Sequence, residues 1–394
     1  MPEPGTLVSN RHDGLGRLLD KGSSVAWVGE SLARWQRIRR KRFREKLKDR
    51  GLDACRSRVM ATRDGRALDE AIHRWASGMP VTEPMPPLEG GGSGKRASII
   101  INTDNRAEEL AVTLAALESH GLDEQDELIV VVGPTEDQSG QVVGSSSLPI
   151  KRLRCSERNL AMSRNIGLRE AAGEFVVHLD DDASPMESWL EGLLAPFTDP
   201  GVMVVAGHVL AGDGERMLNR HVVADVLGGC TDHADAESAA RAIRARGEDR
   251  AFLTATGCNM ALRREPLLRL GGYDEAYAYF LEETDAVRRL LMSGGSCVAA
   301  PASRVRHHCA DNDVRGNGTT VESMLILHAS HLHYVGKFGI GRCSADELER
   351  SAWIRVLGDL EKICWDASPL QEAAASQARY LELAFGQVER ATTA

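Results

Sequence analysis

The stretch Phe175-Val176-Val177-His178-Leu179-Asp180-Asp181-Asp182-Ala183-Ser184-Pro185 decides how the chain reads. A mostly apolar run of strand length stops in three consecutive carboxylates, and Ser184-Pro185 then breaks the strand and lets a helix begin near Glu187. Three acids at one strand end repel one another and favour a neutralising cation. Hard oxygen ligands suit Mg²⁺ or Mn²⁺, and Mg²⁺ characteristically takes one or two protein carboxylates while substrate phosphates complete its shell. The stretch therefore points to a metal-diphosphate site. The bland alternative is a solvated acidic turn, and the surrounding sequence decides between them.

Outward from the triplet, strand-length apolar runs alternate with helical patterns. Ala97 to Asn102, Glu127 to Val132, Leu148 to Leu153, Phe175 to Leu179 and Met203 to Ala206 read as strands. Ala107 to His120, Asn159 to Ala172 and Glu187 to Phe197 read as the helices between them. Strands spaced by helices of this length imply parallel pairing with right-handed crossovers. The fold class is therefore α/β, with a Rossmann-like, mostly parallel sheet flanked by helices and ligands at the carboxyl ends of its strands. The acidic triplet sits at such an end.

Composition excludes several classes. With 394 residues, 42% hydrophobic and 27% charged, the chain is an ordinary globular one and large enough for one big domain with appendages. The net charge of −9 is uneven: residues 1 to 95 carry 19 Lys and Arg against 12 Asp and Glu, a surplus of +7, which leaves 29 against 45, or −16, for the rest. Eight scattered cysteines without a Cys-x-x-Cys pair fit free thiols in a reducing cytosol, not a zinc module or disulfide scaffold. No window approaches the roughly 18 to 20 apolar residues of a membrane span, and no signal peptide is apparent, so the expected location is cytoplasmic, with peripheral membrane contact left open.

Three domains are expected: residues 1 to 95, a basic helical extension ending in a Pro/Gly linker; 96 to 340, the sheet domain; and 341 to 394, a helical extension. The basic helix from Ser31 through Arg50 is read as docking on the acidic body and not as a nucleic-acid-binding element. A second helical piece spans about Leu68 to Ser77, and Met79 to Gly94 reads as a linker. Gly94-Lys95 is no phosphate loop, because Glu89 stands where that motif needs glycine. From Gly207 to Arg250 the signal is poor, and His233 with its aspartates reads as part of a solvent-exposed insertion. Helical periodicity returns from Leu281 to Leu291, from Val321 to Phe338 and from about Ala345 to Gln387.

Several segments converge on the triplet if the sheet is parallel. The first strand ends in Thr103-Asp104-Asn105-Arg106 and the second in Gly133-Pro134-Thr135-Glu136-Asp137. Arg158-Asn159 and Arg164-Asn165 open a helix suited to an anionic group. Leu281-Glu282-Glu283-Thr284-Asp285 places three acids at a helix start, and Val305-Arg306-His307-His308 follows a strand-like stretch.

In that order and spacing, these pieces resemble a family 2 glycosyltransferase of the GT-A fold over about residues 97 to 310. The same resemblance includes Gly257-Cys258-Asn259-Met260-Ala261-Leu262-Arg263-Arg264 and Gly271-Gly272-Tyr273-Asp274-Glu275. It implies a metal-dependent inverting transferase that moves a sugar from a nucleotide-diphosphate sugar to an acceptor nucleophile, with Mg²⁺ or Mn²⁺ as cofactor. Asp180, Asp182 and His307 would be the metal ligands. Thr103, Asp104, Arg106, Asp137, Arg164, Asp180 and Asp181 would lie on the donor side. Glu283 and Asp285 would be the catalytic acids, Glu283 as the base and Asp285 nearer to packing or acceptor placement. Alternation in a strand favours His307 over His308. Val132 and Asp104 stand where members often carry a uracil-reading Asp and an aromatic residue, which weighs against UDP. The acceptor is a glycan, a peptide, a lipid-linked intermediate or a small metabolite. The competing classes are a nucleotidyltransferase, which would need a glycine-rich loop absent from Asn102 to Arg106, and a non-catalytic sugar-nucleotide-binding protein of transferase origin.

Overall fold

The computed structural model describes a set of residues between 66 and 76, then residues 84–277, 279–308 and 321–363. The chain divides into two compact units, Met1–Ser57 and Arg58–Ala394, and everything described belongs to the second. The basic helix expected at 31 to 50 and the helical tail beyond 363 lie outside the described residues.

The sheet is built around β1 (Lys95–Thr103), whose Ser-Ile-Ile-Ile run is buried on both faces. It pairs in parallel with β2 (Asp126–Val132) and β4 (Gly173–Leu179), and β2 pairs in parallel with β3 (Ile150–Arg154). Continuous burial of Ile99, Ile100, Ile101, Val130, Val131 and Val177 is what a strand covered by helices on both faces requires. The covering helices on this half are α1 (Ala107–His120), α2 (Ser139–Ser145) and α3 (Leu160–Glu170). A Cβ at Gly167 of α3 would lie 2.7 Å from Ile100, so glycine lets this helix approach the sheet.

Beyond β4 the directions mix. β5 (Ala183–Pro185) is short, and α4 (Trp189–Leu194) follows it with one 3₁₀ turn. β6 (Val202–Ala211) runs parallel to β12 (Ser296–His307), while β11 (Asn259–Arg263) lies antiparallel between β4 and β6. The order across the sheet is β3-β2-β1-β4-β11-β6-β12-β5, with β7 (Met217–Asn219) against β6. The expected mostly parallel α/β sheet flanked by helices is present, with β11, β5 and β7 as its antiparallel members.

The segment read as an exposed insertion is ordered. β8 (His221–Asp225), β9 (Cys230–His233) and β10 (Ala251–Thr254) form a second, three-stranded antiparallel sheet, covered by α5 (Ala236–Arg246) through Val223, Ala239 and Ala251. Asp232 pairs with Arg220 at 2.8 Å, and Asp235 caps α5 by accepting from the Ser238 amide at 2.7 Å. These acids are used by the fold.

The Pro/Gly stretch is also more than a linker. Its Leu88 amide donates to the Leu268 carbonyl and its Gly91 amide to that of Arg169, at 2.8 and 2.7 Å, while the Arg264 guanidinium donates to the carbonyls of Gly91 and Gly92. A Cβ at Gly90 would meet Leu268 at 2.6 Å. The segment is strapped to α6 (Arg264–Arg269) and α3. Three further helices complete the unit: α7 (Glu282–Met292), α8 (Val321–Phe338) and α9 (Ala345–Ile363). The helical residues between 66 and 76 pack on α9, where buried Trp353 donates to Asp69 at 3.1 Å. The described helical residues between 66 and 76, placed by composition in the N-terminal extension, fall in the same compact unit as the sheet.

Candidate active site

Because β1, β2 and β4 are parallel, Thr103, Val132 and Leu179 end on one edge. The triplet emerges there with three different environments. Asp180 keeps a side chain 26% exposed, whereas those of Asp181 and Asp182 are buried. β5 pairs His307 with Ala183, and this register brings the His307 Nε2 within 3.0 Å of Asp182 Oδ1 and 3.5 Å of Asp180 Oδ2. His308, one residue on, faces Ser184 Oγ at 3.2 Å, and its amide donates to the Asp182 carbonyl. The pleat thus sends the two histidines to opposite sides.

Asp181 and Arg106, both expected on the donor side, lie against each other. Arg106 Nη1 lies 2.8 Å from Asp181 Oδ1 and 3.1 Å from Asp182 Oδ2, and Thr113 donates to the Asp181 carbonyl at 2.7 Å. Burial pushes the Asp181 carboxyl up to about 7 against the pull of Arg106, with the Thr103 hydroxyl beside it. The pair holds Asp182 through the second contact of Arg106. Asp137 is likewise a loop clamp: its carboxylate accepts from the amides of Ala107 and Ser139 at 2.8 and 2.9 Å and from Thr135. Burial works to raise its carboxyl, but these donors hold it down at about 2. Asp104 remains at the rim, 3.3 Å from Arg158.

On the other side of the triplet stands a buried acid-base layer. Arg164 Nη1 is 3.1 Å from Glu282 Oε1, and both side chains are almost wholly buried. Burial disfavours the Arg164 charge, but Glu282, Glu283, Tyr273 and Asp180 together keep the guanidinium above its ordinary range. The Arg164 charge therefore acts on both the triplet and the acids of α7. Its guanidinium lies over the Tyr273 ring at 5.5 Å, and the Tyr273 hydroxyl is 2.7 Å from His178 Nε2. Burial, then Arg164, drives His178 well below its ordinary value, so it sits neutral beneath the site. Arg164, expected on the donor side, is paired with Glu282, an acid the sequence reading named in the helix-start run without giving it a role.

Glu283 is partly exposed beside this pair. Burial of the carboxyl, then repulsion from Glu282, pushes it up to about 8, with Arg164 opposing. Its entry into α7 is forced by two consecutive left-handed residues, Phe280 and Leu281, at φ 79° and 71°. Such conformations cost of order 1–3 kcal/mol each and persist where packing over-determines them, as burial of Leu281 does here.

Asp285, expected nearer to packing or acceptor placement than Glu283, is fully buried in an ionic cluster. Arg289 Nε lies 2.5 Å and Lys337 Nζ 2.6 Å from it, and the Tyr277 hydroxyl donates at 3.1 Å. Lys337 also reaches Asp274 at 2.8 Å, and His333 reaches the same carboxylate at 2.9 Å. Burial would raise Asp274, but His333 and Lys337 hold it well below the usual carboxylate range. A folded-state value below the ordinary 3.8 means that its stabilisation is present above that pH and is lost as pH falls through it. Asp274→Asn should therefore cost about 1.5–3 kcal/mol at neutral pH, the range for hydrogen bonds to charged groups, and the gap to the parent should shrink in acid. Urea unfolding at several pH values checks this; a constant gap counts against it.

Two motifs lock one another. Asn165 accepts from the Tyr273 amide and donates to its carbonyl, both at 2.8 Å, and Asn159 caps α3 while donating to the Glu275 carbonyl. Gly272 at φ +72° leaves room for the Asn165 amide group, since a Cβ would lie 2.5 Å from it. Finally, β11 pairs Asn259 with Leu179, which carries Cys258 to the triplet. Among the described residues, donor atoms of Asp180, Cys258 and His307 lie within 4.8 Å of one another. Burial pushes the Cys258 thiol up to about 12.

Residues 98–271 match the family model described as glycosyl transferase family 2. This segment belongs to that family. A pre-mycofactocin glycosyltransferase of Mycobacterium tuberculosis is 28% identical over 148 residues, 37% of this chain and 29% of that protein. The succinoglycan biosynthesis protein ExoM of Rhizobium meliloti is 27% identical over 218 residues, 52% of this chain and 65% of that one. The chain thus spans less than a third of the first relative's length. Among solved structures, a mannosyltransferase from Pyrobaculum calidifontis in complex with GDP-Man and Mn²⁺ is similar at 17% identity and a TM-score of 0.45, covering 86% of this chain and 98% of that one. No helix among the described residues is long and apolar enough to cross a membrane.

Proposed function

We propose that this domain transfers a sugar from a nucleoside-diphosphate donor to an acceptor nucleophile with inversion at the anomeric carbon. The observation that carries this reading is the convergence of Asp180, Asp182 and His307 at one sheet edge, with a partly exposed Glu283 of raised pKa coupled to them through the buried Arg164 charge, which acts on both Glu283 and Asp180. Two carboxylates and an imidazole drawn together at 3.0 and 3.5 Å fit a divalent cation, and Asp180, Asp182 and His307 would hold Mg²⁺ or Mn²⁺. Such an ion neutralises a departing diphosphate.

The remaining work falls to the chain's own side chains. Arg106 and Asp181 keep Asp182 in place, so that the ligand set is organised before donor arrives. Thr103 and Asp104, at the end of β1, border the donor crevice. Glu283 takes the proton of the acceptor nucleophile, and Arg164 stabilises the charge on the Glu282–Glu283 pair without being able to take that proton itself. The acceptor class is a glycan, a peptide or a small metabolite.

The test is release of product from a set of nucleotide-diphosphate sugars by the full chain. Nucleoside diphosphate should appear only with Mg²⁺ or Mn²⁺ and stop on adding EDTA. Asp182→Asn should weaken metal-dependent binding of the nucleoside diphosphate by at least about tenfold. Full turnover in metal-free buffer would sink the metal assignment. Nucleoside monophosphate as the product would point to nucleotidyl chemistry, and no donor cleavage to a binding protein.

A further inference from the structure

We propose that the Cys258 thiol is a metal ligand, and that with Asp180 and His307 it makes a mixed oxygen, sulfur and nitrogen cradle for a borderline-soft cation such as Zn²⁺ or Cd²⁺. The inference rests on the metal-site reading above and extends it, because Mg²⁺ and Mn²⁺ call for oxygen ligands and have no use for sulfur.

Three observations converge. The donor atoms of Asp180, Cys258 and His307 lie within 4.8 Å of one another. A tetrahedral ion with bonds of about 2.0–2.3 Å needs its ligands about 3.3–3.8 Å apart, so modest side-chain movement closes the set. Cys258 is also held firmly in place. On one side a Cβ at Gly257 would lie 2.2 Å from the Arg164 guanidinium. On the other, fully buried Asn259 accepts from Trp189 Nε1 at 2.8 Å and donates to the His208 carbonyl at 2.9 Å. Gly207 makes room for that asparagine, since a Cβ there would meet it at 2.1 Å. Lastly, Cys258 is only 6% exposed. A buried cysteine ordinarily serves as a small hydrophobe, and Cys258 does touch the core, but a hydrophobic role gives no reason for its sulfur to converge with a carboxylate and an imidazole.

The consequence is a choice of coordination. With oxygen and imidazole ligands from Asp180, Asp182 and His307, the site leaves positions for diphosphate oxygens. With Cys258 engaged, the thiol proton passes to solvent on binding and the protein supplies a more closed, tetrahedral-type set. Zn²⁺ in that set competes with Mn²⁺ for the same pocket and inhibits.

The experiment is titration of the full chain, under reducing conditions, with Cd²⁺ alone, read from the near-ultraviolet sulfur-to-cadmium charge-transfer band, beside Mn²⁺ binding followed by electron paramagnetic resonance. Cys258→Ser should lose the tightest equivalent of the band and bind Cd²⁺ at least about tenfold more weakly, while Mn²⁺ affinity stays within about threefold. Cys230→Ser, which removes an exposed thiol, should leave the tight equivalent intact. Cys258→Ala, with a small apolar replacement, repeats the measurement should the serine variant fail to fold. An unchanged tight band in a folded Cys258 variant overturns the proposal and leaves the Mn²⁺ site standing. Failure of Mn²⁺ to bind the parent overturns the metal reading itself.

Discussion

Glu283→Gln is expected to lower kcat about 10²- to 10⁴-fold while donor affinity stays near that of the parent. Glutamine keeps the shape and the hydrogen-bonding reach of the side chain but cannot accept a proton at neutral pH, so the loss falls on the chemical step. The raised carboxyl gives this prediction a second reading. An acid held at about 8 by burial and by Glu282 is mostly protonated at neutral pH, and only its ionised form can serve as base. The parent's kcat should therefore climb with pH through about 8. Glu282→Gln removes the like charge and leaves Arg164 to act on Glu283 alone, so the limb should move to lower pH. A Glu283→Gln enzyme within a few fold of the parent, or a limb that shifts upward in Glu282→Gln, would assign the base to another group.

Much of this site is legible in the sequence because burial dictates pattern. β1, β2 and β4 are covered on both faces and spell continuous apolar runs, so their ends, and with them Asp180 to Asp182, can be placed on one edge. That His307 and His308 face opposite sides follows from strand alternation, whereas His307 as the metal-side histidine rests on the family resemblance. Other features depend on partners far along the chain. β11 carries the same kind of apolar run as its neighbours, and nothing local encodes its reversed direction. β8, β9 and α5 are short, and β9 and most of α5 are solvent-facing with small or charged residues, so the second sheet leaves no strong period. The Pro/Gly stretch has the composition of a linker whether it floats or is strapped down. What straps it is Arg264 and Leu268, some 170 residues later. Cys258 becomes a candidate ligand only once β11 is laid beside β4, since no second cysteine or histidine lies near it in sequence.

Asp285→Ala is expected to cost about 3–5 kcal/mol of stability, the range for removing one partner of a buried ion pair. On a helix, two positions are separated by about 200° of rotation, so Asp285 and Glu283 face opposite ways even though both are first-turn acids. Asp285 accordingly turns into the body. There its removal leaves Arg289, among the described residues, with the Leu270 and Gly272 carbonyls, and leaves Lys337, side chain 9% exposed, with Asp274 as its carboxylate partner. Because Lys337 belongs to α8 and Arg289 to α7, the lost carboxylate loosens the join between the two helices. The effect belongs to folding and not to proton transfer. Denaturant midpoints should fall, whereas kcat per folded molecule, counted by titration with a tight-binding donor analogue, should stay within about tenfold of the parent. Asp285→Asn, which keeps the shape and loses the charge, should lie between the two in stability. If Asp285→Asn folds as stably as the parent yet is inactive, then Asp285 is the proton acceptor and Glu283 is not.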